Sequence, residues 1–175
     1  MALFKKKMPR GDLVSILADR GFKNTAHELE AFSMFLGGDQ VGTPLTTESR
    51  FSKELVALLT SICGGGLVPG VLPNAPDHLQ KGVVELGIAL ASAGGNTESY
   101  VQYLAQWKDY RLGSPTDPLV ASLTNLFIDR ANDYVTIHQP IGLERHIVRR
   151  MIKQHVDLSI KIIWDKLVSE YKFVE

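Results

Sequence analysis

One cysteine, Cys63, occurs in 175 residues. A lone thiol closes no intramolecular disulfide, and this usage fits a reducing compartment. Excess charge of either sign is also missing: 19 Lys and Arg balance 19 Asp and Glu. A net charge of zero excludes nucleic-acid binding through overall charge, so any such site must be local. It also weakens the repulsion between molecules, as suits a subunit of an assembly. There is no long hydrophobic run. The most apolar window, 55–73, is interrupted by Gly64, Gly65, Gly66, Pro69, Gly70 and Pro73, whereas a membrane span needs about 20 uninterrupted apolar residues. Nor is a secretory leader read, because Lys5-Lys6-Lys7 is followed by Met8-Pro9-Arg10-Gly11-Asp12 and not by an apolar core. A cytoplasmic protein with no transmembrane segment is expected.

Catalytic signatures are equally scarce. No glycine loop precedes Lys-Ser or Lys-Thr, so Gly64-Gly65-Gly66 reads as a helix stop and not as a phosphate cradle. The five histidines (27, 78, 138, 146, 155) form no close ligand pair. His146 and His155 share a predicted helix but stand about 13 Å apart along it at 1.5 Å per residue. No helix supplies the Glu-x-x-His pattern of carboxylate-bridged iron bundles. Cys63, next to an apolar row, reads as a small buried hydrophobe. The expectation is a protein that is not an enzyme and uses no cofactor or metal.

What the chain has is helical periodicity. Hydrophobic residues make up 45% and charged residues 22%, enough for one core and too little length for two comfortable domains. Asp12 caps a short helix through Asp19. Asn24 or Thr25 opens the next, with Ala26, Leu29, Phe32, Phe35 and Leu36 at helical spacing. Thr46 or Thr47 starts a helix with Phe51, Leu55, Leu58, Leu59 and Ile62 on one face. Residues 64–77 form a Gly/Pro-rich crossover, Asp77 caps a further apolar helix, and Asn96 or Thr97 starts a shorter one through Trp107. Asp117 as cap with Pro118 in the first helical position is a strong start signal. A final helix is expected from Leu143 to Phe173, with Ile147, Met151, Leu158 and Ile162 as one apolar row and Val148, Ile152, Val156, Ile163 and Leu167 as a second. No period-two strand is read. The predicted fold is all-α: residues 1–175 as a single-domain helical bundle with a long C-terminal helix as its spine and 1–11 as a basic N-terminal arm.

Charge is organised in one place. Arg145, Arg149, Lys153, Asp157, Lys161 and Asp165 lie four apart and trace one helix face. Its lower half alternates in sign, as a solvated ladder does. Its upper end, Arg145, His146, Arg149, Arg150 and Lys153, is a positive patch whose planar arginine forks suit phosphate.

The stretch Trp107-Lys108-Asp109-Tyr110-Arg111, then Asp117-Pro118-Leu119-Val120, Leu123, Phe127 and Arg130, resembles the central segment of rod-shaped plant virus coat proteins of the tobamovirus type. Arg149-Arg150 and Val156 are similar to the arginine pair and following valine of that family's next helix. The resemblance implies a four-helix bundle, subunits stacked into a helical rod, and arginines at inner helix ends that hold RNA phosphates. It makes Arg130, Arg149 and Arg150 RNA-contacting candidates. The chain departs from the pattern at Asn132, where the family has a second arginine, and at Ile152 and Lys153, where it has an acidic pair. The 100 or so residues before Trp107 show no match.

The functional expectation is a non-enzymatic assembly subunit, most specifically a coat-like filament subunit that contacts RNA through Arg130, Arg145, Arg149, Arg150 and Lys153. Its partners are then copies of itself or other protein subunits, with RNA in the coat-like version, and its location the cytoplasm or a virion. The alternatives are a cytoplasmic adaptor or scaffold component, and a small helical regulator or enzyme with a pocket lined by Trp107, His138 or Trp164.

Overall fold

The structure is a computed structural model that describes residues 5–9, 11–20, 50–65, 96–111, 113–134, 145–164 and 170–174, with isolated helical positions at 23, 27, 81, 82, 85 and 89. In chain order these are strand β1 (Lys6–Pro9), helix α1 (residues 11–20), α2 (Arg50–Gly65), α3 (Thr97–Ala105), α4 (Asp117–Tyr134), α5 (Arg145–Leu158) continued by a π-helical turn (Ser159–Trp164), and strand β2 (Tyr171–Val174). The fold is an all-α, single-domain bundle with its long helix near the C-terminus. Of the helices expected over 24–36 and from Asp77, only residue 27 and residues 81, 82, 85 and 89 are described, each of them helical, and most of the 64–77 crossover lies outside the described residues.

Local chemistry accounts for the boundaries. Asn96 is the N-cap of α3, its side-chain oxygen accepting from the Ser99 amide at 3.1 Å, which satisfies one of the orphan donors of a helix start. The α4 cap falls one residue before the expected Asp117: the Thr116 carbonyl accepts from the Val120 amide at 2.9 Å. Asp117 and Pro118 therefore occupy the first turn, where an acid suits the helix dipole and a missing N–H leaves nothing unpaired. Between α3 and α4 the Ser114 amide bonds the Arg111 carbonyl at 2.9 Å. Gly113, at φ +83°, takes the left-handed corner of that turn.

The core joins Leu55, Leu58 and Ile62 of α2, Tyr100 and Tyr103 of α3, Trp107 of the turn after α3, Leu123 and Phe127 of α4, and Val148, Ile152 and Val156 of α5, with Leu13 and Leu17 of α1 and Met8 of β1. Helix α2 packs against α3, α4 and α5, and α4 packs against α5. Cross-helix bonds give the directions. Asp157 and Lys153 meet Thr116 and Asp117, while Arg145 meets Asn125, so α5 runs antiparallel to α4. Glu54 meets Ser99, and Gly65 lies against Trp107, so α2 and α3 run parallel. Arg130, late in α4, meets Glu54, early in α2. Thus α2, α3 and α5 all begin at the end of the bundle where α4 finishes.

Two expectations need correction. The basic stretch expected as an arm carries β1, which pairs in parallel with β2 (Lys6 with Tyr171, Lys7 with Lys172, Met8 with Phe173, Pro9 with Val174). Four-residue strands are too short for alternation to rise above the helical signal around them. Tyr171–Val174, expected at the end of the last helix, is the other strand. In addition, of the two apolar rows on α5, Val148, Ile152 and Val156 are buried, whereas Leu158 is 47% exposed. Leu158 lies at the outer margin of a stripe wider than its neighbours cover.

Candidate functional site

Glu54 is fully buried, and four groups converge on its carboxylate. The Ser99 hydroxyl donates at 2.6 Å, the Tyr103 hydroxyl at 2.5 Å, the Asn96 amide at 3.4 Å and the Arg130 Nε at 2.8 Å. Arg130 also donates through a terminal nitrogen to Gln102 Oε1 at 2.6 Å. The cluster ties α2, α3 and α4 together with charge-assisted bonds that fill most of the carboxylate's acceptor capacity. Sequence reading missed it, because Glu54 sits on a helix whose neighbours are apolar and its partners lie 42 to 76 residues away. The one available signal was Glu54 beside Leu55, on the side of α2 that also carries Leu58 and Ile62.

The five arginine and lysine candidates thus separate. Arg130 lies within the bundle, 17% exposed, with its guanidinium held by Glu54 and Gln102; a phosphate would have to displace those partners. Lys153 is 43% exposed and placed between Asp117 at 3.2 Å and Asp157 at 3.4 Å, with Thr116 Oγ1 accepting at 3.1 Å. Hydrogen bonding to Asp117, with Asp157 adding to it, holds its ammonium above the usual lysine range. Its charge is locally matched. Arg145 is exposed and donates to Asn125 Oδ1. Arg149 and Arg150 are exposed, and neither has a partner among the described residues. The structure therefore exposes Arg145, Arg149 and Arg150 in the first two turns of α5, encloses Arg130 within the bundle, and pairs Lys153, one turn further along α5, with Asp117 and Asp157. No acidic side chain stands in the first turn of α5, and of the four helix ends at this end of the bundle three are N-termini, the positive ends of their dipoles, against the one C-terminus of α4.

Other candidates fall as follows. Trp107 is fully buried against Gly65; its indole nitrogen has no partner among the described residues. His138 and the Trp164 side chain lie outside the described residues. An open groove of about 440 Å³ lies between the end of α3 and the start of α4, lined by Ala105, Gln106, Lys108, Tyr110, Pro118 and Leu119. Cys63 is buried, its pKa raised to about 12 by loss of solvent, with the Arg20 guanidinium and the Ser159 hydroxyl pulling the other way. Among the described residues no group of three His, Cys, Asp or Glu could hold a metal ion. No helix among them is long and apolar enough to cross a membrane.

No family model, curated protein or solved structure matches this chain.

Proposed function

We propose that the protein is a non-enzymatic subunit of a larger assembly, in its most specific form a coat-like subunit of a helical filament that holds RNA phosphates on the Arg145–Arg149–Arg150 surface of α5. The observation that carries this reading is the pair Arg149 and Arg150, exposed and unmatched among the described residues, at the end where α2, α3 and α5 begin. Lys23, Arg130 and Lys153 each meet a carboxylate. Arginines left without one on a neutral protein suit an external polyanion. The buried Glu54–Arg130 cluster supports the same reading, since it stiffens the body that would present the surface.

The test is a comparison of the parent with Arg149→Ala/Arg150→Ala. The variant is expected to fold as the parent does and to retain less RNA, with the slope of log affinity against log salt shallower by about 1 to 2, as loss of two phosphate contacts requires. Equal RNA retention at every salt concentration would remove the reading. Native mass and the absorbance ratio of purified particles give a second check: large particles with a nucleic-acid spectrum support a coat-like subunit, and a protein-only complex of fixed stoichiometry supports a scaffold component.

A further inference from the structure

The β1–β2 ribbon carries charge that the bundle leaves unanswered. Its parallel register sets Lys7 beside Lys172 on the outward face, while Met8 turns into the core from the opposite face. Neighbouring strands lie about 4.8 Å apart, so two lysine side chains rise from adjacent positions and gather positive charge on one face, an arrangement that like-charged cross-strand pairs disfavour. Lys6, Lys7 and Lys172 are exposed, and none has a partner among the described residues. Glu170 and Glu175 flank β2, but Lys5 and Arg10 flank β1, and the net charge of the two segments stays positive. Two-stranded sheets are marginal by themselves, and a like-charged pair makes this one more so.

We infer that the outward face of this ribbon docks on an anionic membrane surface. Charge complementarity to lipid headgroups is one ground. The residues interleaved with the lysines are the other. Pro9 is exposed and Val174 half-buried on the same face as Lys7 and Lys172. Lysines mixed with small apolar groups suit a bilayer surface, where each basic side chain adds to attraction and apolar neighbours enter the headgroup layer. A nucleic-acid groove would instead favour arginines with forked donors or stacking aromatics. The surface is built from elements other than α5 and is independent of the arginine row.

The experiment is flotation with phosphatidylcholine vesicles, with and without phosphatidylserine, using the full chain, Lys172→Glu and Arg149→Ala/Arg150→Ala. Lys172→Glu places a carboxylate beside Lys7 and relieves the repulsion, so the ribbon is retained while two charge units are lost; circular dichroism and amide exchange of residues 6–9 verify this. The parent is expected to float only with phosphatidylserine and to release as salt rises. Lys172→Glu is expected to weaken binding by about tenfold or more, and the α5 variant to bind as the parent does. Absence of flotation, equal flotation with phosphatidylcholine alone, or unchanged binding by Lys172→Glu would overturn the inference. So would loss of RNA retention by Lys172→Glu without vesicle binding, which would make the ribbon a nucleic-acid surface. Loss of RNA retention in the α5 variant alone leaves this inference standing, and its failure leaves the arginine reading untouched.

Discussion

At the scale of single residues, close packing turns small changes into large ones. Gly65 closes α2 directly under Trp107, and a Cβ built there would lie 2.5 Å from the indole Cδ1 and Nε1. The contact leaves no room for a methyl group, and the ring, fully buried and edge-on to Tyr110 with centroids 5.6 Å apart, cannot swing into solvent. Gly65→Ala is expected to destabilise by about 1 to 3 kcal/mol, the range for overpacking, and to shift the near-ultraviolet circular dichroism of Trp107. A variant as stable as the parent with an unchanged aromatic spectrum would mean that Trp107 does not stack there. Arg130 makes the opposite point. The chain reads the same at Arg130 and Arg149, an arginine on a helix, yet one is enclosed by Glu54 and Gln102 and the other faces outward. Identity alone does not distinguish a structural cation from a surface one; the partner 76 residues away does.

At the scale of elements, the Glu54–Arg130 pair joins the middle of the bundle. Breaking a buried pair strands a charge and costs about 3 to 5 kcal/mol, whereas replacing both partners by apolar groups of similar volume is often neutral. Arg130→Met is expected to cost about 3 kcal/mol in urea denaturation, while Glu54→Leu with Arg130→Met costs less than the sum of the single changes. Strict additivity would deny the coupling seen between them. Helix α5 offers a second contrast. Ile152→Ala is expected to lose about 2 to 5 kcal/mol and Leu158→Ala less than about 0.5 kcal/mol, although both belong to apolar rows of the same periodicity. The elements with strong local signals were legible: Asn96 or Thr97 and the Asp117-Pro118 pair mark the starts of α3 and α4, the latter to within one residue, because caps are read within four residues. The β ribbon was not, since its two strands stand more than 160 residues apart and neither exceeds four residues. The end of α5 was misread for a related reason. A π-helical turn at Ser159–Trp164 breaks the 3.6-residue phase, and an extrapolated stripe runs past it. Of the proposed phosphate surface, the four-residue spacing of Arg145 and Arg149 and the adjacency of Arg150 were visible in the sequence, but the enclosure of Arg130 by Glu54 and the pairing of Lys153 with Asp117 needed the fold.

At the scale of the whole molecule, the bundle closes over groups that would ionise in alkali, and this links its stability to pH. Burial raises the Cys63 pKa from 9.0 to about 12 and pushes the Tyr100 hydroxyl above the usual phenol range, the Cys63 thiolate adding to the latter. Each group is neutral in the folded protein where the unfolded chain has already lost the proton. The stability they contribute is therefore complete below the unfolded value of 9.0 for Cys63, and it is lost as pH rises toward about 12. Over that window the slope tends to about 1.4 kcal/mol per pH unit for the thiol. Urea denaturation at pH 8, 9 and 10 (roughly the onset of the linkage) should show the parent losing stability faster than Cys63→Ala. In the variant the remaining alkaline loss is set by Tyr100 and begins about one unit higher, from its ordinary value of 10.0. The same burial predicts that a thiol reagent labels the native protein no faster than the chain unfolds. Parallel pH profiles for parent and variant, together with rapid labelling of the folded state, would place Cys63 at the surface and remove α1 and the Ser159 turn from the core that covers it.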